Sequence, residues 1–326
     1  MQAPILTLTM NPALDLSTHT EQVEPEHKLR CGPVRSDPGG GGVNVMRAIR
    51  NLGGDAAAVF PVGGATGERF RASAEASGVS GRVVPIAGNT RENFTVDETS
   101  TGAQYRFVLP GPHLTTAEWR ACVAAVWKDL PRGGYLVASG SLPPGVPEDF
   151  YAMLVRAAAA QDIRVVVDTS GPPLEAALTA GVFLIKPSRD ELAQLVGAGS
   201  ELSVSEQFDA ARAIVDDGRA KMVAVTMGSG GAILVWAEGA LRLPAPSVRV
   251  VSAVGAGDAF LAGLVLRLAQ GSTMEQAFRT AVAAGSASAS MPATELCRGE
   301  DVRRLESELP TAAPLPRSTT TTLSSR

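Results

Sequence analysis

The chain has 326 residues, with 29 Lys and Arg against 33 Asp and Glu and a formal net charge of -4. Its basic residues form no long run, which argues against nucleic-acid binding. Hydrophobic residues make up 45% of the chain, enough for a sizeable core, and the length suits one large α/β domain with an insertion rather than two separate domains.

In chain order, short β-prone runs alternate with helical patterns. Strands are predicted over residues 5–9, 56–60, 135–138, 164–168, 183–185 and 222–226, and helices over 116–128, 148–160, 172–179 and 207–216. That order is the signature of βαβ units around a mostly parallel sheet. Two polar, β-prone segments, 15–37 and 89–108, break the alternation. Residues 222–237 read as strand, turn, strand and are too short to span a membrane. Ser203 with Glu206 and Ser272 with Glu275 have capping-box spacing ahead of helical runs. Beyond Leu309 the chain turns to Thr, Ser and Pro without apolar periodicity, so 310–326 is expected to be a disordered tail whose removal from Thr311 leaves fold and activity nearly unchanged. Cys31, Cys122 and Cys297 are far apart and odd in number, which fits a reducing compartment. The N-terminal residues lack a basic region followed by an apolar core, so a cytoplasmic location is expected.

Two glycine-rich segments carry the chemistry. Val254-Gly255-Ala256-Gly257-Asp258 precedes the apolar helical run 259–266. Glycines let the backbone turn sharply and bring N–H groups close to an anion, and the positive end of the following helix adds to that attraction. Asp258 then falls in the first helical turn, where it is placed to take a proton from a hydroxyl attacking a phosphate. A helix capped by an acid after a glycine turn is the alternative reading of this segment alone. Pro38-Gly39-Gly40-Gly41-Gly42-Val43-Asn44 leads into a second amphipathic helix through Val45, Ala48, Ile49 and Leu52. Four consecutive glycines are costly to order, and a flexible linker does not usually run straight into such a helix.

Together these segments resemble the ribokinase/PfkB family of carbohydrate kinases, and the resemblance runs from about residue 5 to residue 309. Thr9 to Asp15, Lys28-Leu29-Arg30, Gly63 to Gly67, Thr90-Arg91-Glu92-Asn93 and Ser139 to Gly145 are similar to its branch acting on phosphorylated ketohexoses. The resemblance implies a ribokinase-like, Rossmann-type three-layer α/β sandwich. Segments 15–37 and 89–108 would form a small β-sheet lid over the sugar, through which such enzymes often dimerise. It places Asp15, Gly40, Gly41, Asn44, Arg91 and Ser139 on substrate-contact positions, and Lys28 and Arg30 near the phosphates or the partner subunit. Arg106 stays open between a lid cation and a solvated charge, and Arg47 reads as part of a solvated helix face.

On the nucleotide side the resemblance implies roles for Lys186, Ser188, Thr226, Gly228 and Gly231 in holding ATP, and for Glu191 in organising Mg²⁺ through water. Ser188 stands where the family motif has Asn, which bears on metal affinity. Ser252 and Val254 would offer oxygens to K⁺, although Met291, Ala293 and Glu295 replace the Asn, Gly and Arg of a relative. Asp258 would be the base, with the backbone of Gly255, Ala256 and Gly257 stabilising charge in the transition state. The implied activity is transfer of the γ-phosphoryl group of Mg-ATP to O1 of fructose 6-phosphate in glycolysis. Tagatose-6-phosphate kinase or 1-phosphofructokinase activity is the alternative, and an inactive sugar-phosphate sensor is the non-enzymatic one.

Overall fold

The computed structural model describes residues 1–315. Strand β1 (Ile5–Leu8) leads to two strands that leave the main body, β2 (Ala13–Thr20) and β3 (Arg35–Gly39), before helix α1 (Gly41–Asn51) and strand β4 (Ala57–Val62) return to it. Helix α2 (Gly64–Ala76) and strand β5 (Gly81–Pro85) precede a second excursion, the hairpin β6 (Arg91–Glu98) and β7 (Gln104–Val108). Regular alternation follows through α3 (Thr116–Asp129), β8 (Tyr135–Ser139), α4 (Phe150–Ala159), β9 (Arg164–Asp168), α5 (Pro172–Thr179) and β10 (Val182–Ile185). Next come α6 (Arg189–Leu195), α7 (Val204–Asp216), β11 (Ala220–Thr226), β12 (Ala232–Trp236) and β13 (Gly239–Leu243). Helices α8 (Ala256–Ala269), α9 (Met274–Ala289) and α10 (Gly299–Glu308) and a short strand β14 (Ala313–Pro314) close the described chain.

The large sheet has the order β14-β13-β12-β11-β10-β9-β8-β1-β4-β5. It is parallel from β5 through β11 and antiparallel beyond. Its central strands are apolar on both faces, as a sheet covered twice requires. Along β8, Tyr135 and Val137 join the core beneath α1, α2, α8, α9 and α10, whereas Leu136 and Ala138 join the core beneath α3 to α7. The result is the three-layer α/β arrangement expected from the sequence. Among the described residues, no helix is long and apolar enough to cross a membrane.

The two interrupting segments meet in a separate sheet of order β3-β2-β6-β7. Asp15 of β2 lies opposite Asn93 of β6, and Asn93 opposite Val108 of β7. Because side chains alternate along a strand, Asp15, Asn93, Arg106 and Val108 share the face that looks into the cleft, while Phe94, Tyr105 and Phe107 occupy the other.

Three expectations need correction. Residues 310–315 pack on the body: Arg279 donates to the Pro310 carbonyl, Ala312 is buried, β14 pairs with β13, and the Leu315 N–H donates to Ala240. An edge strand recruits a short segment through its backbone alone, so no apolar periodicity announces it. The rest of the expected tail, 316–326, lies outside the described residues. Arg47 is half-buried rather than on a solvated face, donating to the Pro38 carbonyl at 3.3 Å and to Asn44 Oδ1 at 3.4 Å. The cap ahead of α9 is formed by Thr273 and Gln276, one residue after the predicted Ser272 and Glu275, whereas Ser203 and Glu206 cap α7 as expected.

Candidate active site

The two glycine-rich segments, more than two hundred residues apart in sequence, start helices that converge on one point. Gly40, with φ 113°, ends β3 and lets α1 begin at Gly41, and Thr9 Oγ1 accepts the Val43 N–H at 2.9 Å. Gly255 has φ 74°, in the left-handed region that other residues avoid, and it turns the chain into α8 at Ala256. The first N–H groups of each helix have no partner within it. Asn44, in the first turn of α1, donates Nδ2–H to Asp258 Oδ2 in the first turn of α8 at 2.9 Å. One hydrogen bond therefore joins the two cradles and fixes the carboxylate between them.

Behind Asp258 lies a polar group of which sequence reasoning identified only part. Lys186, with 8% of its side chain exposed, is 3.2 Å from Asp168 Oδ1, and Ser139 Oγ donates to Asp168 Oδ2 at 3.3 Å. Lys186 Nζ also approaches Gly257 so closely that a β-carbon there would sit 3.1 Å from it. Burial alone would lower the Lys186 pKa, but Asp168, Asp258 and Glu191 outweigh it and hold the ammonium above its usual value. Burial, reinforced by Asp168, pushes the Asp258 carboxyl up to about 6, against the Asn44 hydrogen bond and the Lys186 charge. A carboxylate tuned toward neutrality is a better match to the protons of a sugar hydroxyl than an ordinary one. Asp168 was legible only as the polar end of a strand; its position at the C-terminal edge of a parallel sheet was the available signal.

On the lid side, Asn93 Nδ2 donates to Asp15 Oδ1 at 2.8 Å, and burial raises the Asp15 pKa despite that bond and the nearby Arg91 and Arg106. A β-carbon on Gly39 would overlap the Asp15 carboxylate, so a side chain there would push that carboxylate from its place. Arg91 donates Nε and Nη2 to the Asn11 carbonyl and Nη1 to the Leu109 carbonyl. Two of its five N–H bonds remain, enough to meet a phosphate in the cleft.

All of this opens on a cleft of about 770 Å³. Asp15, Gly40, Gly41, Asn44, Arg91, Ser139, Lys186, Glu191, Val254, Gly255 and Asp258, all candidates from the sequence, line it. Arg106 also lines it, although it is exposed, and Asn93, Glu148 and Asp168 are additions. Lys28 and Arg30 do not reach the cleft but stand exposed on the loop joining β2 to β3. Ser188, Thr226, Gly228 and Gly231 do not line it, although Ser188 and Thr226 pair as a parallel bridge that brings together the two segments expected on the nucleotide side.

Glu191 Oε2 accepts the Ser188 N–H at 2.8 Å in a capping box, which leaves its other lone pairs toward the cleft. Among the described residues no three His, Cys, Asp or Glu side chains gather as a metal cage. Ser252 is buried and accepts the Val254 N–H at 3.2 Å. Ser288 Oγ, buried without a hydrogen-bond partner, lies 3.9 Å from where a Gly255 β-carbon would sit. An unpaired buried oxygen beside this turn fits a monovalent cation. Ala293 holds φ 52°, the left-handed conformation that a glycine would adopt freely.

Two helix N-termini, an enclosed carboxylate and a cation-bearing lid define a phosphotransferase that acts on a small anionic alcohol. The model of the pfkB family carbohydrate kinases matches residues 5–299, and the chain belongs to that family. It is 44% identical over 300 residues to the ATP-dependent 6-phosphofructokinase isozyme 2 of Mycobacterium tuberculosis, covering 92% of this chain and 88% of the relative. It is 42% identical over 303 residues to the Escherichia coli enzyme of the same name, covering 92% and 97%. The crystal structure of phosphofructokinase-2 from Escherichia coli in complex with fructose-6-phosphate superposes with a TM-score of 0.89 at 41% identity, covering 94% of this chain and 99% of that one.

Proposed function

We propose that this chain is an ATP-dependent 6-phosphofructokinase, forming fructose 1,6-bisphosphate from fructose 6-phosphate. The observation that carries the reading is the Asp258 carboxylate, held by Asn44 at the junction of two glycine cradles. O1 of the sugar attacks the γ-phosphorus as the bond to the ADP oxygen breaks, and Asp258 takes the O1 proton. N–H groups of Gly255, Ala256 and Gly257 at the start of α8 meet the developing phosphoryl charge, and Lys186 adds its ammonium beside Gly257. Asp15, Gly40, Gly41 and Ser139 hold the sugar hydroxyls, while Arg91 and Arg106 take its phosphate. Mg²⁺, held through water by Glu191, would offset the charge of the nucleotide phosphates. Lys186, Ser188, Thr226, Gly228 and Gly231 form the nucleotide side.

K⁺ would be held near Ser252, Val254 and Ser288. The outer lid face, with Phe107 55% exposed and Phe94 38% exposed, fits a homodimer contact, which would carry Lys28 and Arg30 toward the partner's cleft. A panel measuring ADP release with ATP tests the assignment. Fructose 6-phosphate should give the highest kcat/KM. A value as high with tagatose 6-phosphate or fructose 1-phosphate would move the enzyme to another branch, and no release with any of them would support the sensor reading.

A further inference from the structure

Asp37 is a buried carboxylate, 6% exposed, for which phosphoryl transfer supplies no task. It stands on β3 directly opposite Asp15 of β2, so the two acids share one face of the lid, a pairing that is repulsive unless neutralised. Its neutralising partners are specific. Thr294 Oγ1 donates to Asp37 Oδ2 at 2.6 Å, and Arg35 donates Nε to Oδ2 at 2.7 Å and Nη2 to Oδ1 at 3.2 Å. Arg35 then donates Nη1 to Glu295 Oε1 at 2.6 Å. Thr294 and Glu295 are not lid residues; they belong to the loop after α9. The last residue of α9, Ala289, accepts the N–H groups of Val251 and Ser252 on the segment that runs into Gly255. The loop after α9 thus touches the sugar lid at one end, while the end of α9 touches the segment leading to the phosphate cradle.

We infer that Thr294, assisted by Glu295 through Arg35, clamps lid strand β3 and so positions Asp15 for the sugar. Without the Thr294 hydroxyl, a buried charged acceptor loses a donor. Either β3 then moves outward to hydrate Asp37, or Asp37 stays and repels Asp15. Both outcomes fall on the sugar side and spare the nucleotide side. An acid at position 295 holds the far end of Arg35 and completes the clamp. Thr294, Asp37 and Arg35 are positioning residues, since none of them lines the main cleft.

The sugar assignment of the inference rests on the phosphofructokinase reading, so its test has one readout that needs no substrate. Hydrogen exchange in the ligand-free protein and steady-state kinetics would be compared for wild type, Thr294→Val, Thr294→Ser, Asp37→Asn and the Thr294→Val/Asp37→Asn pair. Thr294→Val should speed exchange in β2 and β3 by about tenfold and raise the KM for fructose 6-phosphate by about tenfold, the scale of one charge-assisted hydrogen bond. The KM for ATP and kcat should stay within about threefold, Thr294→Ser should behave as wild type, and the double variant should be no worse than the worse single one. Unchanged exchange in β2 and β3, equal rises in both KM values, or a Thr294→Ser as impaired as Thr294→Val would overturn the clamp. A wild type inactive on fructose 6-phosphate would instead remove the functional reading, with hydrogen exchange still deciding the clamp.

Discussion

Burial, with Asp168 and Asp15, raises the Asp258 pKa, whereas Asn44 and Lys186 favour its charge. A base must be deprotonated to act, so activity is lost as pH falls through its pKa. With the carboxyl at about 6, kcat/KM should be flat above neutrality and fall about tenfold per pH unit well below 6. Asn44→Ala removes a donor to the carboxylate and should move that limb to higher pH, alongside any loss of sugar binding; an unmoved limb would assign the titration to another group. At position 293, Ala occupies φ 52°, which costs about 1–2 kcal/mol for a residue with a β-carbon. Part of this returns as unfolded-chain entropy when glycine replaces it. Ala293→Gly should therefore stabilise by about 0.5–1 kcal/mol, read as a higher Tm, and a lower Tm would mean that its side chain packs usefully.

Among the elements, β14 shows where sequence patterning stops. It is two residues long and is held by backbone pairing to β13, with Ala312 buried beside it. Deleting from Thr311 onward should lower Tm by about 2–4 °C, as expected for roughly 1 kcal/mol in a protein of this size or somewhat smaller. An unchanged Tm would show that this pairing contributes nothing. The alternating strands and helices of the large sheet were legible because each strand is a run of apolar residues bounded by turns. The cradles were legible because glycine followed by a helix has few other uses. Asp168 and the Asp37 clamp were not, because residues 139 and 168 meet only across the strand order of the folded sheet, and residue 294 reaches residue 37 from the loop after α9. Arg47 was misread for the same reason: a helix face is solvated only if no other element covers it, and β3 covers this one.

At the scale of the whole molecule, the lid has one face on the cleft and one carrying Phe94, Tyr105 and Phe107. If two copies meet there about a two-fold axis, each Phe107 is buried once per protomer. Losing about 1.5–3 kcal/mol at each should weaken a Phe107→Asp dimer by at least about a hundredfold, visible by sedimentation as monomer; an unaltered oligomer would place the contact elsewhere. In the proposed mechanism, α1, α8 and the lid converge to let one carboxylate move one proton. Its most direct measurement is ADP release from ATP and fructose 6-phosphate by wild type and Asp258→Asn, with substrate affinities followed by calorimetry. The variant should keep its fold and bind ATP nearly as wild type while kcat falls by about 10²–10⁴-fold. A near-normal kcat would contradict the account and reduce Asp258 to a helix cap.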